Sequence, residues 1–488
     1  MSTPAPGPSA TADGPVVVPR GTHRPGGPDR VVPSWVDPVA RQASEAVGGP
    51  WGRFAVTGRA LFWTPLRVCL LFTTLVLAVA WIKQAPCSDG NWTAGVQYTH
   101  LCYSDAVPLF GAHGLGDGAL PHLDVAVDQP VLTGGFTAGA AALAAVYDRA
   151  AAGSGLLPAV PPVQSYYVVT CLLLTACAFL LVRSTLALGG RRPWDAAMIG
   201  LSPLLVVHAF TGWDLFGVAL AGLALWAWAR RRLLLAGALT GLAAAAALHA
   251  VLLLLALLLL CLRAGRLRAW TRTALAAAGT WLAVVVPVAL AGPAGWAVLP
   301  ALPGVAAAEP DSLWSIAVHL SGSPGADEVP ALLDAVAVLV VLAGLAAVAW
   351  LTRVAPVRPR VPQVAFLLVA VVLLAGTTWS PQESLWLLPL SVLARPRWRA
   401  LLAWQATEAV LWVPRLLWYL GADDNGVDVE WFFLAVGLRD VAVLVLVALV
   451  VRDVLDPDRD VVRTSWPGVD DPAGGVLDHH MDALRAPS

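Results

Sequence analysis

The amino-acid sequence predicts an all-α polytopic membrane protein with about twelve transmembrane helices and a large polar loop after the first of them. Three observations predict it. The chain of 488 residues is 58% hydrophobic and only 13% charged, with a mean hydropathy of +0.71, whereas soluble domains carry about 25% charged residues. Apolar runs near the length of a bilayer crossing, about 20 residues, recur between positions 61 and 451. The polar residues gather between those runs, above all over 87–134, a Gly/Pro-rich stretch with carboxylates, histidines and two cysteines.

The first 58 residues are rich in Pro, Gly, Ser and Thr without apolar periodicity, the composition of a disordered cytoplasmic N-terminus. They do not read as a secretory signal, because the first apolar run starts near Leu61 and is too long for one. A transmembrane domain then spans 59–452, with its outer loop at 83–134. Clear crossings are predicted over 61–82, 165–182, 281–290 with flanks, 332–351, 361–375, 401–420 and 431–451. The apolar expanse 194–262 divides at Thr211–Gly212 and at Arg230–Arg232. Its last piece, 233–262, is too long for one crossing and reads as two short helices turning near His249. A further short helix is expected over 384–393. The tail 453–488 is polar and reads as a loose cytoplasmic extension.

Arginine placement sets orientation. Arg53, Arg59 and Arg67 put the N-terminus in the cytoplasm. Arg191–Arg192, Arg230–Arg232, 263–272, 353–360, 395–399 and Arg452 then share that side. The opposite side receives 87–134, 208–214, the turn at His249, 292–330, 377–382 and 423–430. For this to hold, 131–146 must be re-entrant or interfacial. Polar chemistry thus collects on the extracytoplasmic face of what reads as a bacterial plasma-membrane protein, its basic residues nearly all Arg and its genome GC-rich. The net charge of −1 excludes nucleic acid as a partner, since no basic surplus is present to neutralise phosphates. No phosphate-cradling Gly-rich loop with its lysine occurs.

Cys69, Cys171, Cys177 and Cys261 fall in apolar helices and read as small core residues. Cys87 and Cys102 lie in the exported loop, where a disulfide is permitted. It would close a short loop, worth about 3 kcal/mol, but the Cα separation that decides it is not in the sequence. His100, His113 and His122 match no metal-ligand spacing, so no metal and no cofactor are predicted.

An outer-face carboxylate suits general-base activation of an acceptor hydroxyl. Asp105, next to Tyr103, meets that need; its alternative is an N-cap for the helix that AVPLFGAHGL begins. Asp214 reads equally as a sugar-hydroxyl ligand or a helix-initiating acid. Trp213, Trp314, Trp379 and Trp386 are candidates to stack on sugar or prenyl groups or to sit in an interfacial belt. Ser380 and Gln382 interrupt an apolar run and either contact substrate or cap the next helix. The helices hold few acids or bases away from their ends, which ranks a secondary transporter last.

The motif order CYSD (102–105), PHLD (121–124), DQPVLTG (128–134), GWDLFGVAL (212–220), LTGLAAAAALHAV (239–251), DSLW (311–314) and WSPQESLWLLPLSVLARPRW (379–398) resembles the bacterial integral-membrane glycosyltransferases of family 87. The resemblance implies a GT-C fold, a polyprenyl-phosphate sugar donor and an acceptor that is a glycolipid, polysaccharide or protein of the cell envelope. The transferred sugar would be mannose- or arabinose-like. It gives the first outer-loop aspartate, here Asp105, the role of general base. Tyr103, His122, Asp128, Gln129, Trp213, Asp214, His249, Ser312, Trp314, Ser380 and Gln382 are the matching candidates for substrate contact. The departures concern cations and aromatics. Pro121-His122 stands for Pro-Tyr, Asp128-Gln129-Pro130 for Glu-Tyr-Pro, Ala247-Leu248-His249-Ala250 for Lys-Leu-Tyr-Pro and Gly376-Thr377 for Asn-Lys. No Lys or Arg occurs between Arg272 and Arg353. Either other groups (His249, His122, Trp, backbone N–H) hold the phosphate, or the chain is a non-catalytic membrane partner of an envelope glycan complex.

Overall fold

The computed structural model describes residues 63–292, 308–321, 331–465 and 471–478. The expected N-terminal segment 1–58, most of 292–330 and the end of the tail lie outside the described residues. Among those described, the chain is all-helical, without strands. The principal helices are α1 Pro65–Gln84, α2 Val131–Ser154, α3 Pro162–Leu188, α4 Asp214–Ala229, α5 Leu233–Ala246, α6 Val251–Arg263, α7 Leu267–Ala291, α8 Leu313–Leu320, α9 Ala331–Val354, α10 Val361–Ala375, α11 Leu387–Ala394, α12 Trp398–Leu420 and α13 Val429–Leu455.

Six of them, α1, α2, α3, α7, α9 and α13, are long and apolar enough to cross a membrane. Helices α4, α5, α6 and α10 are apolar but shorter. A helix of about 14 residues rises only about 21 Å, so α5 and α6 stop inside the thickness of a bilayer. Their junction lies where Ala247 turns extended, with φ −162° and ψ 132°. That break places His249 within the body of the bundle.

Local chemistry sets several helix starts. The Thr64 hydroxyl accepts from the Arg67 amide at 3.3 Å ahead of Pro65. Ser202 caps Pro203–His208 in the same way, with Pro at the first helical position. The core centres on α10, whose first ten residues are buried, with α6, α9, α11 and α13 packed against it. Helices α5 and α7 approach closely because Gly237 and Gly241 offer no side chain: an added Cβ would lie 2.2 Å from the Thr273 carbonyl oxygen and 2.3 Å from that of Ala277. Leucines of α7 and α9 face outward (Leu275, Leu282, Leu290, Leu332, Leu339), the apolar exterior of a membrane protein.

Two differences from the sequence reading stand out. Helix α2 is continuous and longer than 131–146, yet both its ends meet elements of one face. Thr133 Oγ1 donates to the Ala246 carbonyl at 2.8 Å, and Asp148 accepts from Ser165 at 2.9 Å near the start of α3. The tail, expected to be loose after Arg452, instead packs across the opposite, arginine-rich face. Asp460 forms a buried ion pair with Arg360 at 2.7 Å. Asp471 accepts from the Val361 amide at 2.7 Å. The carbonyl oxygens of Gly474, Gly475 and Leu477 take hydrogen bonds from Trp228, Arg231 and Arg358. Its low hydropathy concealed this, because polar side chains and backbone carbonyls hold it, with only a few apolar residues (Val462, Ala473, Leu477) buried.

Candidate active site

On the face opposite the tail, CYSD, TGWD and SPQES converge. Cys87 and Cys102 are joined by a disulfide with Cα atoms 5.8 Å apart. Two residues on, the Ser104 hydroxyl donates to the Phe210 carbonyl at 2.8 Å, and the next amide, of Asp105, donates to the Thr211 carbonyl at 2.8 Å. The Tyr167 hydroxyl also donates to Phe210, at 3.0 Å. These bonds fasten the loop to the turn before α4.

Asp105 occupies the N-cap position of the short helix Ala106–Ala112, but its side chain caps nothing. It turns instead to the SPQES segment, where Gln382 Nε2 donates to Asp105 Oδ2 at 3.2 Å. The Tyr103 hydroxyl also favours the ionised carboxylate. Gly212 lets the three segments meet, since an added Cβ would lie 3.3 Å from Gln382 and 3.6 Å from Asp105. Burial pushes the Asp105 carboxyl up to about 6, against the Tyr103 hydrogen bond and the charge of Arg415, with Asp214 and Asp128 raising it further. A carboxylate tuned to that range is ionised near neutral pH and basic enough to take a proton.

The other candidates divide. Asp214 opens α4 and also accepts from the Trp386 indole N–H at 3.2 Å. His249 Nε2 lies 4.0 Å from Glu383 Oε1, and its ring sits 5.7 Å from that of Trp386. Ser380 and Glu383 cap one another, with the Ser380 amide on Glu383 Oε2 at 3.0 Å. Ser380 therefore serves the turn, while Gln382 points at Asp105. Asp128 is exposed at the rim and Gln129 is buried. His122 is buried in left-handed backbone at φ 69°, packed on Gly134. Ser312 caps α8, and the Trp314 indole donates to the Ala375 carbonyl at 2.8 Å. Trp213, Trp379 and Trp386 are core residues rather than a belt.

Glu309, Glu383, Arg415, Arg439 and Glu408 were missed. Glu309, half-buried beside the site, has its carboxyl raised by burial and by Asp311. Arg415 of α12 pairs with the buried Asp311 at 2.8 Å and lies over the Tyr419 ring at 5.0 Å. Its charge reaches Asp105. Arg439 of α13 is fully buried, bonds Asp440 at 2.8 Å and the Asp311 carbonyl, and lies 3.6 Å over the Trp379 ring. The expectation of few charges inside the helices is thereby corrected. A signal was present: Glu408 and Arg415 stand seven residues apart on α12, and Arg439-Asp440 interrupts an apolar run in α13. Charges placed so are rarely idle in a membrane protein.

Positive charge thus reaches the Asp105 site from α12, outside the motifs. Gln382 lies one residue beyond, and Asp105 45 residues before, the stretch that comparison with known families covers. No curated protein matches the chain. Residues 150–381, from the end of α2 to the SPQES turn, match the model of Glycosyltransferase family 87.

Proposed function

We propose that the protein moves a mannose- or arabinose-like sugar from a polyprenyl-phosphate donor to a cell-envelope acceptor, with Asp105 as general base. The observation that carries this is the double hold on Asp105. Its backbone is tied to Thr211 and its carboxylate to Gln382, so a base sits where three distant segments meet and Arg415 adds positive charge. The acceptor hydroxyl would lose its proton to Asp105 as its oxygen attacks the anomeric carbon and the lipid phosphate leaves. Arg415 supplies charge suited to a phosphate, which favours an active enzyme over the non-catalytic partner.

In the proposed topology the 59–452 domain crosses the bacterial plasma membrane about twelve times, short and broken helices included. The arginine-rich face is cytoplasmic and the Asp105 face extracytoplasmic, the N-terminus lies inside, and α2 lies at the outer interface. Contacts of both ends of α2 with Asp105-side elements support that placement.

Asp105→Asn tests the base. It keeps the shape and the contact with Gln382 but has no basic oxygen. Transfer of label from polyprenyl-phosphate sugars in membranes should fall at least about 100-fold, with protein level unchanged. Full activity would remove Asp105 from the role.

A further inference from the structure

The turn that carries Gln382 is held from below by fully buried groups. Ser384 Oγ donates to Glu408 Oε1 at 2.6 Å, and the Trp404 indole donates to the same oxygen at 3.1 Å. The Trp379 indole donates to Ser384 Oγ at 3.2 Å. Arg439 then closes the stack on the other face of the network, 3.6 Å over the Trp379 ring. Glu408, Ser384, Trp404 and Arg439 show no exposure at all, and Trp379 only 1%.

We propose that Glu408 is a positioning residue for the glycosyl transfer. Through Ser384 and Trp379 it fixes both ends of the 379–384 turn, and thereby the register in which Gln382 meets Asp105. The inference rests on the base role of Asp105. A bare helix-to-turn tie would need only one of these bonds. Here one carboxylate oxygen gathers two donors, and the hydroxyl that binds it accepts from the residue opening the turn. The turn is therefore pinned at Trp379 and at Ser384, leaving Gln382 between the pins. Its own capping box, Ser380 with Glu383, keeps it rigid. A shift of about 1 Å would carry Gln382 out of hydrogen-bond range of Asp105.

The groups facing Asp105 are Tyr103 from its own loop, Tyr167 from α3, Gln382 from the turn, Arg415 from α12, Glu309 from the segment before α8, Asp214 from α4 and Asp128 from the rim. Glu408 is not among them. Its effect on the base must run through the turn.

Two readouts test this on the full chain. Hydrogen exchange is followed over 377–386 in lipid nanodiscs. Transfer is followed against pH in membranes, with labelled polyprenyl-phosphate mannose and polyprenyl-phosphate arabinose as donors. Glu408→Leu and Ser384→Ala should speed exchange in the turn roughly tenfold, while Glu408→Gln, which keeps the accepting oxygen, should stay within about twofold of the parent. Glu408→Leu should lower kcat roughly tenfold with little change in donor KM, with Glu408→Gln restoring it. The acid limb of kcat should move to higher pH in both Glu408→Leu and Gln382→Leu, by about the same amount, since both remove the donor that favours ionised Asp105. Unchanged exchange in Ser384→Ala overturns the proposal, and this variant deletes one oxygen only, so it keeps the test open if Glu408→Leu does not fold. Altered exchange without a shift of the acid limb also overturns it. A fully active Asp105→Asn would remove the base reading instead, leaving exchange to decide what holds the turn.

Discussion

Gln382 Nε2 and Asp105 Oδ2 lie 3.2 Å apart although 277 positions separate them in sequence. The amide can only donate through this nitrogen, so the contact favours the ionised carboxylate and opposes the effect of burial.

The pH dependence follows from that balance. With its carboxyl pushed up to about 6, Asp105 should give transfer that rises through pH 6 and levels off above it. Gln382→Leu should move the rise to higher pH, with a larger loss at pH 6 than at pH 8. The linkage sign is that of a raised acid: the folded state binds a proton more tightly than the unfolded one. The group thus favours folding below its unfolded value of about 3.9, and that contribution is lost as pH rises to about 6. Thermal melts of the wild type and Asp105→Asn across pH 4–8 check it; the variant should lack this component of the slope.

Arg415 and Asp311 form an ion pair at 2.8 Å with the aspartate fully buried. Arg415→Met leaves that carboxylate uncompensated and should cost about 3–5 kcal/mol, whereas Arg415→Lys should cost less. Loss of the cation should also lift the carboxyl of Asp105. Asp311→Asn combined with Arg415→Met should recover part of the stability but not the activity, as read by melting temperature and labelled-sugar transfer.

Gly237 and Gly241 let α5 and α7 touch backbone to backbone. Small residues four apart are how membrane helices approach closely. Gly237→Ala should destabilise by about 1–3 kcal/mol or more, since the neighbour is the Thr273 backbone carbonyl, which cannot swing aside. Gly279→Ala, where an added Cβ meets nothing within 4 Å, is the control and should leave melting unchanged.

The C-terminal segment ties Arg360, Trp228, Arg231 and Arg358 across the arginine-rich face. Truncation after Leu455 should lower the melting temperature, the buried Arg360 alone losing a partner worth about 3–5 kcal/mol. Asp460→Asn in the full chain should reproduce much of the loss. An unchanged melt in both would mean that the segment adds nothing to stability.

Much of the helical framework was legible because bilayer solubility is a property of runs of residues. The segment 361–375 and the break before His249 follow from length alone. Asp105, Gln382 and Asp214 were legible too, as polar residues at the ends of apolar runs and within motifs. The tail was misread because backbone carbonyls hold it, and a carbonyl leaves no mark on hydropathy.

By itself the sequence determined an apolar, all-helical membrane chain with its polar chemistry collected in a few loops, since burying apolar side chains away from water requires little more than composition and period. Only the tertiary structure decided which of those loops meet, that Gln382 rather than Ser380 faces Asp105, and that the charge of Arg415 of α12 reaches Asp105. The physical reason is range. Solubility and helix period are written within a turn or two of chain, whereas a hydrogen bond or an ion pair acts over about 3 Å between residues hundreds of positions apart.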